Sequence, residues 1–188
     1  YPLSHGVIAD IKNMETLIKF FISDFQDGSL KPADFIIAVP SDITEVEKRA
    51  FYDLVKDAGV KAKKIMVVEK AVADGLGMGI DVKTSQGVIV VNVGYETTEI
   101  SILSLGGIVL SRLIKVGGAK FDEAIRNAVR KEFSLIIGGK TAENIKMSIP
   151  ELDEAGNGAI VYGRDIVTGL PVEREIPTKL VISSLEEH

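Results

Sequence analysis

The chain has 188 residues, of which 46% are hydrophobic and 26% charged, with only 6 prolines. That composition excludes disorder over most of its length and fits one compact unit or two small lobes sharing a cleft. Its 22 lysines and arginines against 27 aspartates and glutamates give a net charge of -5, which leaves no global basic field to hold a polyanion, so no nucleic acid is expected as a partner.

The absence of cysteine removes disulfides, thiolate zinc sites and cysteine nucleophiles. The 2 histidines, His5 and His188, make no case for metal or acid–base chemistry, and residues 185–188 read equally as a cloning remnant or as natural sequence. The longest apolar run, around residues 88–93, falls far short of the roughly 18 to 20 residues that cross a bilayer. No basic segment precedes an apolar core near Tyr1, so no signal peptide is expected and the expected compartment is the cytoplasm.

Residues 13–24 form the first periodic segment: Met14, Leu17, Ile18, Phe21, Ile22 and Phe25 recur at three- and four-residue spacing, the buried side of a helix. Phe35 to Val39 is an apolar run of strand length stopped by Pro40. Thr44 and Glu47 have the spacing of a reciprocal cap, ahead of a helix that carries Val46, Ala50, Leu54 and Val55 and closes at Gly59. A second short strand at 64–69 leads into a small-residue helix at 71–79.

This helix, strand, helix, strand, helix order favours parallel strands covered by helices. The rhythm then changes to three strands, 87–94, 97–103 and 107–116, separated by glycine turns and expected as an antiparallel meander. The meander joined to the preceding strands and helices is one half of a ribonuclease-H-like lobe. A helix follows at 120–133, then another at 140–147 capped by Thr141. After Pro150 come strands at 158–162 and 174–181 around a turn at 168–171, a small hairpin subdomain.

Three glycine-bearing corners are candidates for phosphate: 75–79, 92–98, and Gly117-Gly118 ahead of Phe121. Such corners can bring backbone N–H groups to phosphate oxygens, though glycine also simply turns a chain. Neither dinucleotide fingerprint nor phosphate-binding P-loop is present, and Gly138-Gly139-Lys140-Thr141 lacks the spacing of the latter. Several side chains keep two readings. Thr97 and Thr98 serve phosphate or the strand ladder, and Glu99 reads as a solvent-facing strand acid. Asp10 is a metal ligand or a turn residue, and Lys70 a phosphate neutraliser or an ordinary surface cation.

Taken together, Val39-Pro40-Ser41 with Arg49-Ala50, Val68-Glu69 with Gly79, Thr97-Thr98-Glu99, Ser104 to Val109, Val116-Gly117-Gly118 with Phe121-Asp122-Glu123-Ala124-Ile125, and Gly163-Arg164-Asp165 with Gly169-Leu170-Pro171 resemble the MreB family of bacterial actin homologues. The resemblance runs in unbroken order over nearly the whole chain. It implies part of an actin-like ATPase fold, α/β with mixed sheets, helices on their faces and a small second-lobe subdomain. Residues 1–83 would be the later part of the first lobe, 84–137 the core of the second, and 138–184 its truncated small subdomain. The family's first phosphate loop is expected before Tyr1 and its adenine-side loops after Ser184.

The resemblance further implies ATP and magnesium between two lobes in the full-length protein, self-association or assembly with other actin-like filament proteins, contact with cell-wall or membrane machinery, and placement in the cytoplasm or at the inner face of the membrane. It assigns Asn92, Gly94, Thr97, Thr98, Gly117 and Gly118 to phosphate, Glu143 and Lys146 to ribose and adenine, Asp10 to the metal, and Lys70 to the place of the glutamate that orients the hydrolytic water. Read without it, Glu143 and Lys146 are a surface pair on one helix.

The departures are specific. Asn92 stands for an aspartate, Tyr95 and Glu96 for glycines, Lys70 for the catalytic glutamate, and Ala119 for an acid. The expected function is therefore an MreB-like cytoskeletal protein of cell shape that binds nucleotide with weak or absent hydrolysis. The alternative is a non-polymerising structural or regulatory actin-like protein that has lost nucleotide binding. A kinase or chaperone ATPase of the same broad fold ranks below both, since neither a substrate pocket with a base nor a peptide-binding domain is visible.

Overall fold

The computed structural model describes residues 2–25, 32–155 and 158–186. Packing divides the chain into two compact units, Tyr1–Lys115 and Val116–His188.

The first unit opens with a hairpin of β1 (Leu3–Ser4) and β2 (Val7–Ile8), too short to register as strands in sequence. His5 at φ 50° and Gly6 at φ 84° make its turn, the left-handed pair that a tight hairpin requires. A side chain at Gly6 would also press on the Pro40 ring at 2.9 Å. α1 (Ile11–Phe25) follows. Met14, Leu17, Ile18 and Ile22 are half-buried as their spacing predicts, whereas Phe21 is exposed.

β3 (Ala33–Val39) pairs in parallel with β4 (Ala62–Glu69), and α2 (Glu45–Asp57) makes the crossover. The capping box forms as the sequence predicts: Thr44 Oγ1 accepts from the Glu47 amide, and Glu47 accepts from the Thr44 amide. Phe51, Leu54 and Val55 are the buried side of α2, while Val46, in its first turn, is exposed. Gly59, at φ 71°, turns the chain out of the helix.

α3 (Lys70–Gly77) leads to the meander of β5 (Val88–Val93), β6 (Thr98–Ser104) and β7 (Gly107–Ile114), antiparallel as expected. Leu105 and Gly106, at φ 53° and 80°, form the two-residue turn between β6 and β7. A small core of Ala71, Val82, Val90 and Leu103 packs α3 on the sheet. Gly75 permits that approach, because a Cβ there would stand 2.7 Å from Leu103 Cδ1.

The second unit contains α4 (Gly118–Phe133), β8 (Leu135–Ile136), α5 (Gly139–Ala155), β9 (Ala159–Asp165), β10 (Pro171–Ile176) and α6 (Thr178–Leu185), its sheet antiparallel in the order β10-β9-β8. Ile125, Val129, Leu135, Ile145, Val161, Ile176 and Val181 belong to one core. Three expectations are corrected here. Thr141 is not a cap: α5 already begins at Gly139, and the Ala142 amide bonds the Gly138 carbonyl. Pro150 does not end α5, which runs on to Ala155, so the missing proline N–H costs one helical bond without breaking the helix. The predicted strand at 174–181 stops at Ile176, because Pro177 cannot donate to the ladder and instead caps α6, whose Thr178 and Val181 turn inward.

Candidate functional site

The assigned residues fall on both units, and each half is built separately. In the first unit the β5–β6 turn is closed by the Gly94 amide donating to the Thr97 carbonyl at 2.8 Å. A Cβ at Gly94 would come 3.0 Å from that same oxygen, which explains the glycine without any ligand. Thr98 belongs to β6 opposite Val93, and Tyr95 is exposed. Glu96 does not turn into the phosphate corner: its Oε2 accepts the His5 amide at 2.6 Å, tying the β1–β2 hairpin to this turn.

The strand pleat places Asn92 opposite Glu99 on the face that also carries Val90 and Leu103. Glu99 is consequently 4% exposed, not the solvent-facing acid the sequence predicts. Its Oε1 accepts the Ser41 amide at 3.1 Å and the Ser111 hydroxyl at 3.3 Å, and Ser111 meets Ser101 at 2.9 Å. Sequence reasoning missed this buried network because its members lie far apart in the chain.

Lys70 and Asn92, which the resemblance reads as standing in place of acids, are brought together. Lys70 Nζ donates to Asn92 Oδ1 at 3.0 Å, and Asn92 Nδ2 donates to Asp74 Oδ2 at 2.6 Å. Lys70 and Asp74 lie one turn apart on α3, so the amide is clasped between ammonium and carboxylate. Lys70 is also the first residue of α3, where the helix dipole disfavours a cation. Next to it, Glu69 pairs with Lys48 at 3.0 Å. The Lys48 hydrogen bond holds the Glu69 carboxyl below its ordinary range, and Glu69 in turn raises Lys48.

Asp10 caps α1: its Oδ1 accepts the Asn13 amide at 3.0 Å and its Oδ2 the Asn13 side-chain amide at 2.6 Å. Magnesium, a hard cation that seeks carboxylate and other oxygens, does not fit the positions assigned to it. Both Asp10 oxygens are engaged by Asn13, Asn92 is neutral and clasped, and Lys70 is itself a cation. No group of three acids, histidines or cysteines that could hold a metal occurs among the described residues.

In the second unit, Gly117 is the N-cap of α4 in extended conformation and supplies no side-chain cap. The N–H groups of Gly118 and Ala119 open the helix and have no helical carbonyl to bond, the arrangement that accepts a phosphate. Lys146 comes to this end from α5, donating to the Gly118 carbonyl at 3.3 Å. Its Nζ also stands 2.7 Å from Asp122 Oδ1, off the hydrogen-bonding direction, as an ion pair with side chains 19% and 11% exposed. The Glu143–Lys146 surface pair, the alternative to their assignment to ribose and adenine, does not form. Glu143 pairs with Lys140 at 2.8 Å, which lowers the Glu143 carboxyl and raises the Lys140 ammonium. Asp122 went unrecognised as the partner of Lys146 because its spacing from it carries no helical signal.

The second unit thus sets unbonded helix N–H groups beside Lys146, and the first carries Lys70 hydrogen-bonded to Asn92. Comparisons with known proteins bear on the family. The chain is 34% identical to the cell shape-determining proteins Mbl of Bacillus subtilis and MreB of Escherichia coli, over 99% of its own length and 56% and 54% of theirs. It therefore spans about half the length of these curated relatives. The solved structure of MreB5 of Spiroplasma citri bound to AMPPNP matches 99% of the chain and 56% of its own, with a TM-score of 0.88 and 36% identity. The ADP-bound form matches with a TM-score of 0.84 at 34% identity. The MamK double helical filament, at a TM-score of 0.75 and 22% identity, shares the fold. The fold is actin-like, seen in part. With the MreB/Mbl protein family model matching residues 1–188, the chain belongs to the MreB/Mbl family.

Proposed function

We propose that the full-length protein carrying this chain is an actin-like cytoskeletal protein of bacterial cell shape that self-associates, binds a nucleotide, and hydrolyses it weakly or not at all. Its relatives are cell shape-determining proteins, and MreB5 of Spiroplasma citri binds AMPPNP and ADP. Residues 1–83, 84–137 and 138–184 are read as first lobe, second-lobe core and small subdomain. Gly94, Thr97 and Thr98 in one unit and Gly117 and Gly118 in the other are the phosphate contacts of this reading, with Glu143 and Lys146 on the nucleoside side.

The observation that carries weak hydrolysis is the Lys70–Asn92 hydrogen bond. A water attacking a phosphoryl group must lose a proton to a base. Lys70 offers donors where a base must accept, and Asn92 carries no charge. Asp10, which the resemblance assigns to the metal, accepts from Asn13 through both carboxylate oxygens. Placement in the cytoplasm or at the inner membrane face belongs to the same proposal, and among the described residues no helix is long and apolar enough to cross a membrane.

The test is calorimetric titration of the full-length protein with ATP, with phosphate release measured in parallel on the parent and on the Lys70→Glu, Asn92→Asp variant. Binding by the parent, little turnover, and higher turnover in the variant are expected. Robust turnover by the parent sinks the proposal of weak hydrolysis. Absence of binding by both favours the second reading, a structural or regulatory actin-like protein without nucleotide, which the Glu96–His5 tether across the phosphate turn favours.

A further inference from the structure

We infer that this protein holds the polyphosphate of its nucleotide without a divalent cation, and that the Lys70 ammonium supplies the positive charge in the first unit. The inference rests on the nucleotide reading above and deepens it.

Asp10, Asn92 and Asp74 are the oxygen donors this reading would offer a metal, and each already accepts a hydrogen bond. Asp10 accepts from Asn13 through both carboxylate oxygens. Asn92 offers one carbonyl oxygen, and that oxygen already accepts from Lys70. Asp74, the nearest acid to the pair, accepts the Asn92 amide through Oδ2. A divalent ion set among these groups would stand beside an ammonium 3.0 Å from the one oxygen it needs, and two cations at such range repel strongly in a half-buried place.

The same arrangement suits a polyanion. An ammonium has three donors, and Asn92 takes one. The amide fixes the ammonium in position through Asp74, so the remaining N–H groups are held rather than swept through solvent on a flexible stem. A fixed ammonium beside phosphate oxygens makes charge-assisted hydrogen bonds, the strong class of such contacts. Because the charge belongs to the chain, it is present whether or not metal is supplied.

The experiment is titration of the full-length protein with AMPPNP by calorimetry, once in magnesium and once in EDTA. The expected result is the same dissociation constant in both buffers. Lys70→Met is expected to weaken binding by roughly tenfold or more in both, and Lys70→Arg, which keeps the charge, to retain binding in EDTA. The Lys70→Glu, Asn92→Asp variant, which restores two acids, is expected to bind only in magnesium. Unchanged melting curves for Lys70→Met separate a lost contact from a lost fold.

Binding by the parent in magnesium but not in EDTA overturns the inference and leaves the nucleotide reading standing. Metal-independent binding that Lys70→Met does not weaken overturns the role of Lys70. Absence of binding by the parent in both buffers overturns the inference and the nucleotide reading together.

Discussion

Asp122→Asn removes the counter-charge from Lys146 while keeping the volume of the side chain. Both partners are largely buried, 11% and 19% exposed, with 2.7 Å between charges. Removing one partner of a fully buried pair costs about 3–5 kcal/mol, and an exposed pair contributes about 0–1 kcal/mol. The residual exposure, the off-axis geometry and the bond that Lys146 keeps to the Gly118 carbonyl place this pair between the two, at about 2–3 kcal/mol. Lys146→Met costs at least as much, because it leaves the Asp122 carboxylate, the more buried of the two, without its counter-charge. The pair with both replaced, Asp122→Leu and Lys146→Met, should recover most of the loss, since a buried ion pair exchanged for apolar groups of similar volume is often neutral. The measurement is urea unfolding by circular dichroism, with hydrogen exchange read on peptides of α4 and α5 to assign the loss to the second unit. A loss below about 0.5 kcal/mol for Asp122→Asn, or strict additivity of the two substitutions in a double-mutant cycle, would refute the coupling.

Gly163→Ala places a Cβ 2.7 Å from Leu135 Cγ and 2.8 Å from the Ile136 carbonyl oxygen, and backbone cannot yield as a side chain can. A loss of about 1–3 kcal/mol is expected from overpacking, read as a lower urea midpoint, and a neutral alanine would show that β8 and β9 are farther apart than described. Thr44→Ala removes the hydroxyl that accepts the Glu47 amide and is expected to cost about 1 kcal/mol, with faster hydrogen exchange confined to the first turn of α2. The Glu69 carboxyl, lowered by Lys48, contributes stability that is fully present above the unfolded glutamate range and is lost as pH falls through its own, lower value. With the pair 31% and 42% exposed, that contribution is no more than about 0.5 kcal/mol. Glu69→Gln should flatten the acid limb of stability against pH by that amount, and an unchanged limb would show the pair to be silent.

What was legible in the sequence was what the chain decides locally. Thr44 and Glu47 sit three residues apart and complete their box with no help from elsewhere, and the meander follows from alternation between glycine turns. β1, β2 and β8, two residues each, are too short for any periodicity to show. Glu99 was misjudged because burial of a strand acid depends on partners far along the chain: Ser41, 58 residues away, supplies its main-chain donor. Helical spacing alone offers Glu143 and Lys146 to each other, yet Lys140 lies equally close on the other side of Glu143, and a buried acid on α4 holds Lys146. Spacing proposes partners, and desolvation chooses among them.

Lys70 and Asn92 show the same rule at the site itself. Taken singly, each reads as a loss of acid. Together with Asp74 they form a chain of two hydrogen bonds, ammonium to carbonyl and amide to carboxylate. Two acids in these places would set three carboxylates together, an arrangement that needs a cation to hold it. Lys70→Glu alone would bring a new carboxylate toward Asp74 with only a neutral amide between them, and Asn92→Asp alone would leave two carboxylates sharing one ammonium. The two substitutions are thus expected to be strongly non-additive in stability, with Lys70→Glu the more damaging of the single changes in metal-free buffer. Magnesium should rescue the double variant and leave the parent unchanged. If the single changes simply add, the clasp is a surface coincidence and the two residues departed from the acidic pattern independently.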